Sequence, residues 1–168
     1  SLSLSAPANA QLTAPVSTSV SIIADDLSYA YLSAVLREYN PFAEVEPNDD
    51  AAAATGPLFT AQNYFGRFNG NGNRDLDYFY FDLAAAGLIQ VEVANLLSSV
   101  PGVQAQVNLY YGAPSLSNNK PVGFAGAPNA AGVCQIVYAP AQPGRYYVIV
   151  VMPPGYVGGT YTLTATFP

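Results

Sequence analysis

From residue 58 to the C-terminus, apolar and polar residues come in short bursts separated by Gly, Pro and Asn. The clearest burst is Tyr161-Thr162-Leu163-Thr164-Ala165-Thr166-Phe167, whose alternation predicts a strand with one buried and one wet face. Tyr146-Tyr147-Val148-Ile149-Val150-Val151-Met152 is apolar throughout and reads as a strand buried on both faces. Expected strands are 58–68, 77–83, 87–94, 104–111, 121–125, 132–138, 144–152 and 159–167. The spacers, such as Pro101-Gly102, Gly112 to Asn119, Pro140 to Gly144 and Pro153 to Gly159, carry turn chemistry. Regular short strands with such turns predict an all-β chain, a jelly-roll-like β-sandwich of about eight strands.

The first 43 residues read differently and are expected to form an extension ahead of a domain over 44–168. Val16, Val20 and Ile22 alternate with Ser and Thr, the pattern of a strand, but no hairpin partner lies nearby. Asp25 and Asp26 offer an N-cap, and Leu27, Tyr31 and Val35 with Leu32, Leu36 and Tyr39 form i, i+4 rows. Pro41 ends that pattern, so one short helix is expected over 26–39. A strand-like arm is stable only when its apolar face is covered and its backbone paired. Val16, Val20 and Ile22 are therefore candidate contact residues, against either the chain's own body or the exposed edge of a second copy. The second option implies a homo-oligomer or polymer.

Composition narrows the function. Half the chain is apolar and only 10% is charged, enough for a core and too little charge for disorder. The net charge of -6, with scattered Arg37, Arg67, Arg74, Lys120 and Arg145, argues against a nucleic-acid partner. No apolar run has the length of a membrane span. Histidine is absent and cysteine occurs once, which excludes Ser-His-Asp and Cys-His catalysis and a zinc site. Cys134 shares a strand face with Ile136 and Tyr138 and reads as a buried small hydrophobe. Few charges, many Tyr, Ser, Thr and Asn, and no disulfide pair suit a secreted or surface protein of a prokaryote.

The acidic residues are concentrated. Six of the eleven lie in Glu44-Val45-Glu46-Pro47-Asn48-Asp49-Asp50 and in Asn69 to Phe79. Carboxylates at this density repel and raise one another's pKa, and a hard cation bound through their oxygens removes that penalty. Calcium is the ion this chemistry favours. The same residues also fit a solvated turn, with Asn48 and Asp49 capping the alanines 51–54. Paired carboxylates raise the question of glycoside hydrolysis at Asp75 and Asp77, but a sandwich this small has little material for a cleft, and no enzymatic activity is expected. Of the thirteen tyrosines, most belong to strands; Tyr110, Tyr111 and Tyr156, at strand ends and in a loop, are the candidates for partner contact.

Several motifs together resemble the bacterial pre-peptidase C-terminal domain family. They are Glu46-Pro47-Asn48-Asp49 followed by the alanines 51–54, Asp75-x-Asp77-Tyr78-Phe79-x-Phe81, Leu109-Tyr110, Gly144-x-Tyr146-Tyr147-Val148-x-Val150 and Tyr161-x-Leu163, covering roughly 44–168. The resemblance implies a secreted, non-catalytic β-sandwich, with the collagen-binding domains of clostridial collagenases among its relatives. It implies calcium ligands at Glu44, Glu46, Asn48 and Asp49 in one group and Asp75 and Asp77 in another. The leading expectation is a non-enzymatic extracellular structural or adhesive protein that self-assembles, as a fibre or surface-layer subunit, through its arm. The alternative is a calcium-dependent binding module that docks on protein fibres or glycans.

Overall fold

The computed structural model describes residues 40–68, 73–115, 118 and 120–168. The expected arm with Val16, Val20 and Ile22 and the expected helix over 26–39 lie outside the described residues. Eight strands are described: β1 (Asn63–Arg67), β2 (Asp75–Leu83), β3 (Gly87–Ala94), β4 (Gln106–Tyr111), β5 (Gly123–Ala125), β6 (Cys134–Ala141), β7 (Gly144–Met152) and β8 (Thr160–Thr166). They form two four-stranded antiparallel sheets, ordered β1-β8-β3-β6 and β2-β7-β4-β5. Only the β4–β5 connection stays within one sheet; every other step along the chain crosses between layers. The all-β sandwich expected from the alternation is the fold observed.

The alternation sets the layers. Ile89, Val91 and Val93 of β3 point inward, as do Tyr161, Leu163 and Ala165 of β8, and all are buried. Gln90 and Glu92, and the threonines 160–166, line the outer face of that sheet. Strand β7 is central in the other sheet, and every residue from Tyr146 to Met152 is buried, as its unbroken apolar run predicts. Phe81 stacks on the partly buried Phe167 at 4.3 Å and on Tyr146 at 5.6 Å. Cys134 is buried beside Ile136, and burial pushes its thiol up to about 11, so it acts as the small hydrophobe expected. No helix among the described residues is long and apolar enough to cross a membrane.

One expected strand is corrected. Residues 58–68 read as a continuous strand, but only Asn63–Arg67 is one. The Leu58 amide donates to the Tyr80 carbonyl in the opposite sheet at 2.8 Å. The chain then turns through Ala61, whose φ of 58° lies in the left-handed region, before entering β1. The apolar run therefore serves two sheets in succession.

The stretch from Phe42 to Leu58 is a strap that runs from one layer to the other. Near its start, the Glu44 amide donates to the Phe65 carbonyl (2.8 Å) and the Phe65 amide donates to the Phe42 carbonyl (2.7 Å). Near its end, the Thr55 amide donates to the Tyr78 carbonyl (2.8 Å) and the Tyr80 amide donates to the Thr55 carbonyl (3.0 Å). Strands β1 and β2 are the edge strands of their sheets on this side. The strap satisfies part of the unpaired backbone of each, which is one way proteins protect sheet edges.

Candidate functional site

The strap carries acids into the gap it closes. Glu44 and Glu46 come from the strap and Asp77 from β2, and one carboxylate oxygen of each lies within 4.8 Å of the others. Asp75 and Asp77 stand two residues apart on β2, so both occupy the inward face that continues as Phe79, Phe81 and Leu83. Acids in the core register of a strand are unusual, since a buried carboxylate is costly unless its charge is met. Asp77 is 0% exposed.

Tyr161 of β8 reaches the cluster from the facing sheet. Its hydroxyl donates to Asp77 Oδ2 at 2.5 Å and lies 3.2 Å from Glu44 Oε2. The Arg67 amide donates to Glu44 Oε1, and the Asn48 amide donates to Glu46 Oε2 at 2.9 Å. Two buried acceptors have no hydrogen-bond partner among the described residues, Asp77 Oδ1 and Asn48 Oδ1. Buried polar atoms are nearly always satisfied, so an orphaned carboxylate oxygen inside an acidic cluster points to a missing positive partner.

The electrostatics agree. Burial lifts the Asp77 carboxyl to about 9, helped by the charges of Glu44, Asp75 and Glu46 and opposed by the Tyr161 hydrogen bond. Burial likewise lifts Glu44 to about 7, against the Arg67 amide bond and with added repulsion from Glu46 and Asp75. Burial and the two carboxylates hold the Tyr161 phenol well above its ordinary range, so it remains a hydrogen-bond donor. Every donor in the set is an oxygen, and hard divalent cations take oxygen ligands in irregular numbers. Glu44, Glu46 and Asp77 could hold such an ion directly, with Asn48 Oδ1 as the further unsatisfied oxygen on the same strap.

The expected ligand residues separate. Glu44, Glu46 and Asp77 converge; Asn48 is fully buried beside them; Asp75 is buried on the same face and acts on both Glu44 and Asp77 through its charge. Asp49 does not join the converging carboxylates: Asn48 turns inward, so its neighbour faces solvent. The cap on the alanines also moves by one residue. Asp50 Oδ1, rather than Asn48 or Asp49, accepts from the amides of Ala52 (2.8 Å) and Ala53 (2.9 Å). Among the candidate contact tyrosines, Tyr110 is half-buried and Tyr111 is exposed, its hydroxyl donating to the Pro143 carbonyl at 3.1 Å. Tyr156 is buried instead, because its ring packs edge-on against Phe68 at 5.0 Å. Tyr161 was not expected in the site; the signal was its inward register in β8, opposite two acids in the inward register of β2.

Residues 75–151 match the family model described as Bacterial pre-peptidase C-terminal domain. The resemblance expected from the motifs therefore holds over that stretch. Among solved structures, the chain is similar to the pre-peptidase C-terminal domain of a collagenase from Bacillus anthracis. The identity is 20% and the TM-score 0.47, over 64% of this chain and 90% of that one. No curated protein matches the chain.

Proposed function

We propose that this pre-peptidase C-terminal-type sandwich is an extracellular, non-catalytic structural or adhesive module whose strap is pinned by calcium. The observation that carries the reading is the convergence of Glu44, Glu46 and Asp77 around a buried, unpartnered Asp77 oxygen. In the bound state these carboxylates, with Asn48, would hold the ion, which supplies the positive charge that the cluster lacks. The chain's own contribution is placement. The strap brings Glu44 and Glu46, β2 brings Asp77, and Tyr161 orients Asp77 from the facing sheet. Since the strap also covers β1 and β2, an ion there joins both sheets at one edge. A fully buried Asp77 cannot touch a polymeric substrate, which supports a non-catalytic role.

The test is thermal unfolding of the full chain in millimolar calcium and in chelator, with metal content read directly. Calcium is expected to bind stoichiometrically and to raise the melting temperature; a ligand selective for the native state adds about 2.7 kcal/mol at one hundred times its dissociation constant. Identical curves with no bound metal would end the proposal.

A second reading, docking on protein fibres or glycans, is favoured by the outer face of the β2-β7-β4-β5 sheet. Tyr80 and Tyr110 flank the buried Tyr147 in one cross-strand row there, and Tyr78 stands beside the buried Ile149 in the next, so the half-buried Tyr78, Tyr80 and Tyr110 are the rings open to a partner. Flat aromatic rows suit amphipathic partners. Co-sedimentation with insoluble fibres and polysaccharides, in parent and in a Tyr80→Ala variant, separates this reading from a purely structural role.

A further inference from the structure

Thr55 is gripped by β2 through both of its backbone groups. Its amide donates to the Tyr78 carbonyl (2.8 Å) and its carbonyl accepts from the Tyr80 amide (3.0 Å), so its place beside β2 is fixed. Asn48 is held by the same stretch of β2, since its carbonyl accepts from the Tyr78 amide at 3.0 Å. Residues 49–54 leave β2 between these two anchors and return to it, with Asp50 capping the turn at Ala52 and Ala53. The closed loop brings the Thr55 hydroxyl back against the start of the strap. Thr55 Oγ1 accepts from the amide of Val45, which separates Glu44 from Glu46, at 3.1 Å. It also accepts from Asn48 Nδ2 at 3.5 Å.

A carboxamide has a donor end and an acceptor end. With Nδ2 turned to Thr55, Oδ1 of Asn48 faces the other way, where it is fully buried and has no hydrogen-bond partner among the described residues. A bare buried acceptor is costly, and a hard cation beside it removes the cost. Resting on the calcium reading above, we propose that Thr55 is a positioning residue whose hydroxyl holds the Asn48 carboxamide with Oδ1 presented to the cation. Thr55 does not touch the ion; its oxygen is already occupied by two donors, and it acts through Asn48. The Val45 bond keeps Oγ1 in place and ties it to the backbone between the two glutamates. Reversing the amide would turn N–H donors toward the acids, an arrangement that suits a metal-free cluster and repels a cation. The Thr55 contact selects the other orientation. Residues that orient a metal ligand in this way tune affinity without belonging to the ligand set.

The test is the calcium affinity of the full chain by isothermal titration, in the parent, Thr55→Val, Thr55→Ser, Asn48→Ala and the double variant of Thr55→Val with Asn48→Ala. Thr55→Val keeps the branched shape and removes the acceptor, and should weaken binding by about 10–100-fold, the usual cost of losing a residue that orients a metal ligand. Thr55→Ser keeps the hydroxyl and should bind like the parent. Asn48→Ala should weaken binding at least as much as Thr55→Val, and adding Thr55→Val to it should change the affinity far less, because both act through one oxygen. Parent affinity in Thr55→Val, or full additivity in the double variant, would overturn the proposal. Parent affinity in Asn48→Ala would overturn it equally, whether or not Thr55→Val folds. These outcomes leave calcium bound and so leave the calcium reading standing. A parent that binds no calcium would end that reading, and this one with it.

Discussion

The Tyr161 ring lies against the backbone of Gly66, where a β-carbon would stand 2.0 Å from Cζ and 2.2 Å from the hydroxyl oxygen. β1 and β8 pair at this point, Gly66 opposite Tyr161. The absence of a side chain at 66 is what lets the phenol lie along β1 and reach Asp77. Gly66→Ala should displace the ring, break the bond to Asp77 and destabilise the protein by about 1–3 kcal/mol, the usual range for overpacking. Combining it with Tyr161→Phe should cost less than the sum of the two, because both remove the same hydrogen bond. Denaturant midpoints of the single and double variants give the coupling directly; strict additivity would show that Gly66 does not act through Tyr161.

Arg145 makes two 2.8 Å bonds to Asp82 and lies over the Tyr80 ring at 4.2 Å. The Arg145 guanidinium holds the Asp82 carboxyl below its usual range. Both side chains are nonetheless about half exposed, so solvent screens the pair. Asp82→Ala is expected to cost no more than about 1 kcal/mol, and less in high salt. A loss of several kcal/mol in urea unfolding at both salt levels would contradict this.

The strands were legible where neighbours in sequence share a face. Tyr161-x-Leu163-x-Ala165 announces its buried side within seven residues, and Ile89-x-Val91-x-Val93 does the same. Leu58 to Gln62 was misread because its amides are satisfied by different sheets, and nothing local marks Leu58 as a partner of Tyr80. The site followed the same rule. Glu44, Glu46 and Asp77 were visible as acids, but the exclusion of Asp49 depends on the strap turning Asn48 inward at the neighbouring position. Tyr161 meets Asp77 across 84 positions of sequence and across two layers. A side chain that serves a site from the opposite sheet leaves only its inward register as a clue.

Metal-free protein should be less stable in mild alkali than in mild acid. The Asp77 carboxyl is raised to about 9 and the Glu44 carboxyl to about 7, against ordinary values of 3.8 and 4.5. A raised carboxyl means that the folded state binds more protons than the unfolded state between those limits. Stability from these groups is therefore greatest near their unfolded pKa values and falls as pH climbs through about 7 and then about 9. Calcium should reverse the trend, since binding requires the ionised ligands. Melting temperatures in chelator at pH 5 and pH 8, then in calcium, test both signs. A metal-free protein with no loss of stability over that interval would contradict the burial argument.

Asp77→Asn separates a cation ligand from a merely buried polar group. The amide keeps an acceptor for the Tyr161 hydroxyl and nearly the same volume, but removes one charge from beside Glu44, Glu46 and Asp75. In chelator, the parent must either hold a proton on Asp77 or bear an unmatched buried charge. The variant has neither burden, so above neutral pH it should melt at a higher temperature than the parent. In calcium the order should invert. The parent gains the binding increment, about 2.7 kcal/mol at one hundred times the dissociation constant, and the variant gains little of it. Crossing of the two stability curves between chelator and calcium is the diagnostic result. If Asp77→Asn lowers stability by the same amount in both conditions, Asp77 acts only as a hydrogen-bond partner for Tyr161, and the cluster is not a calcium site.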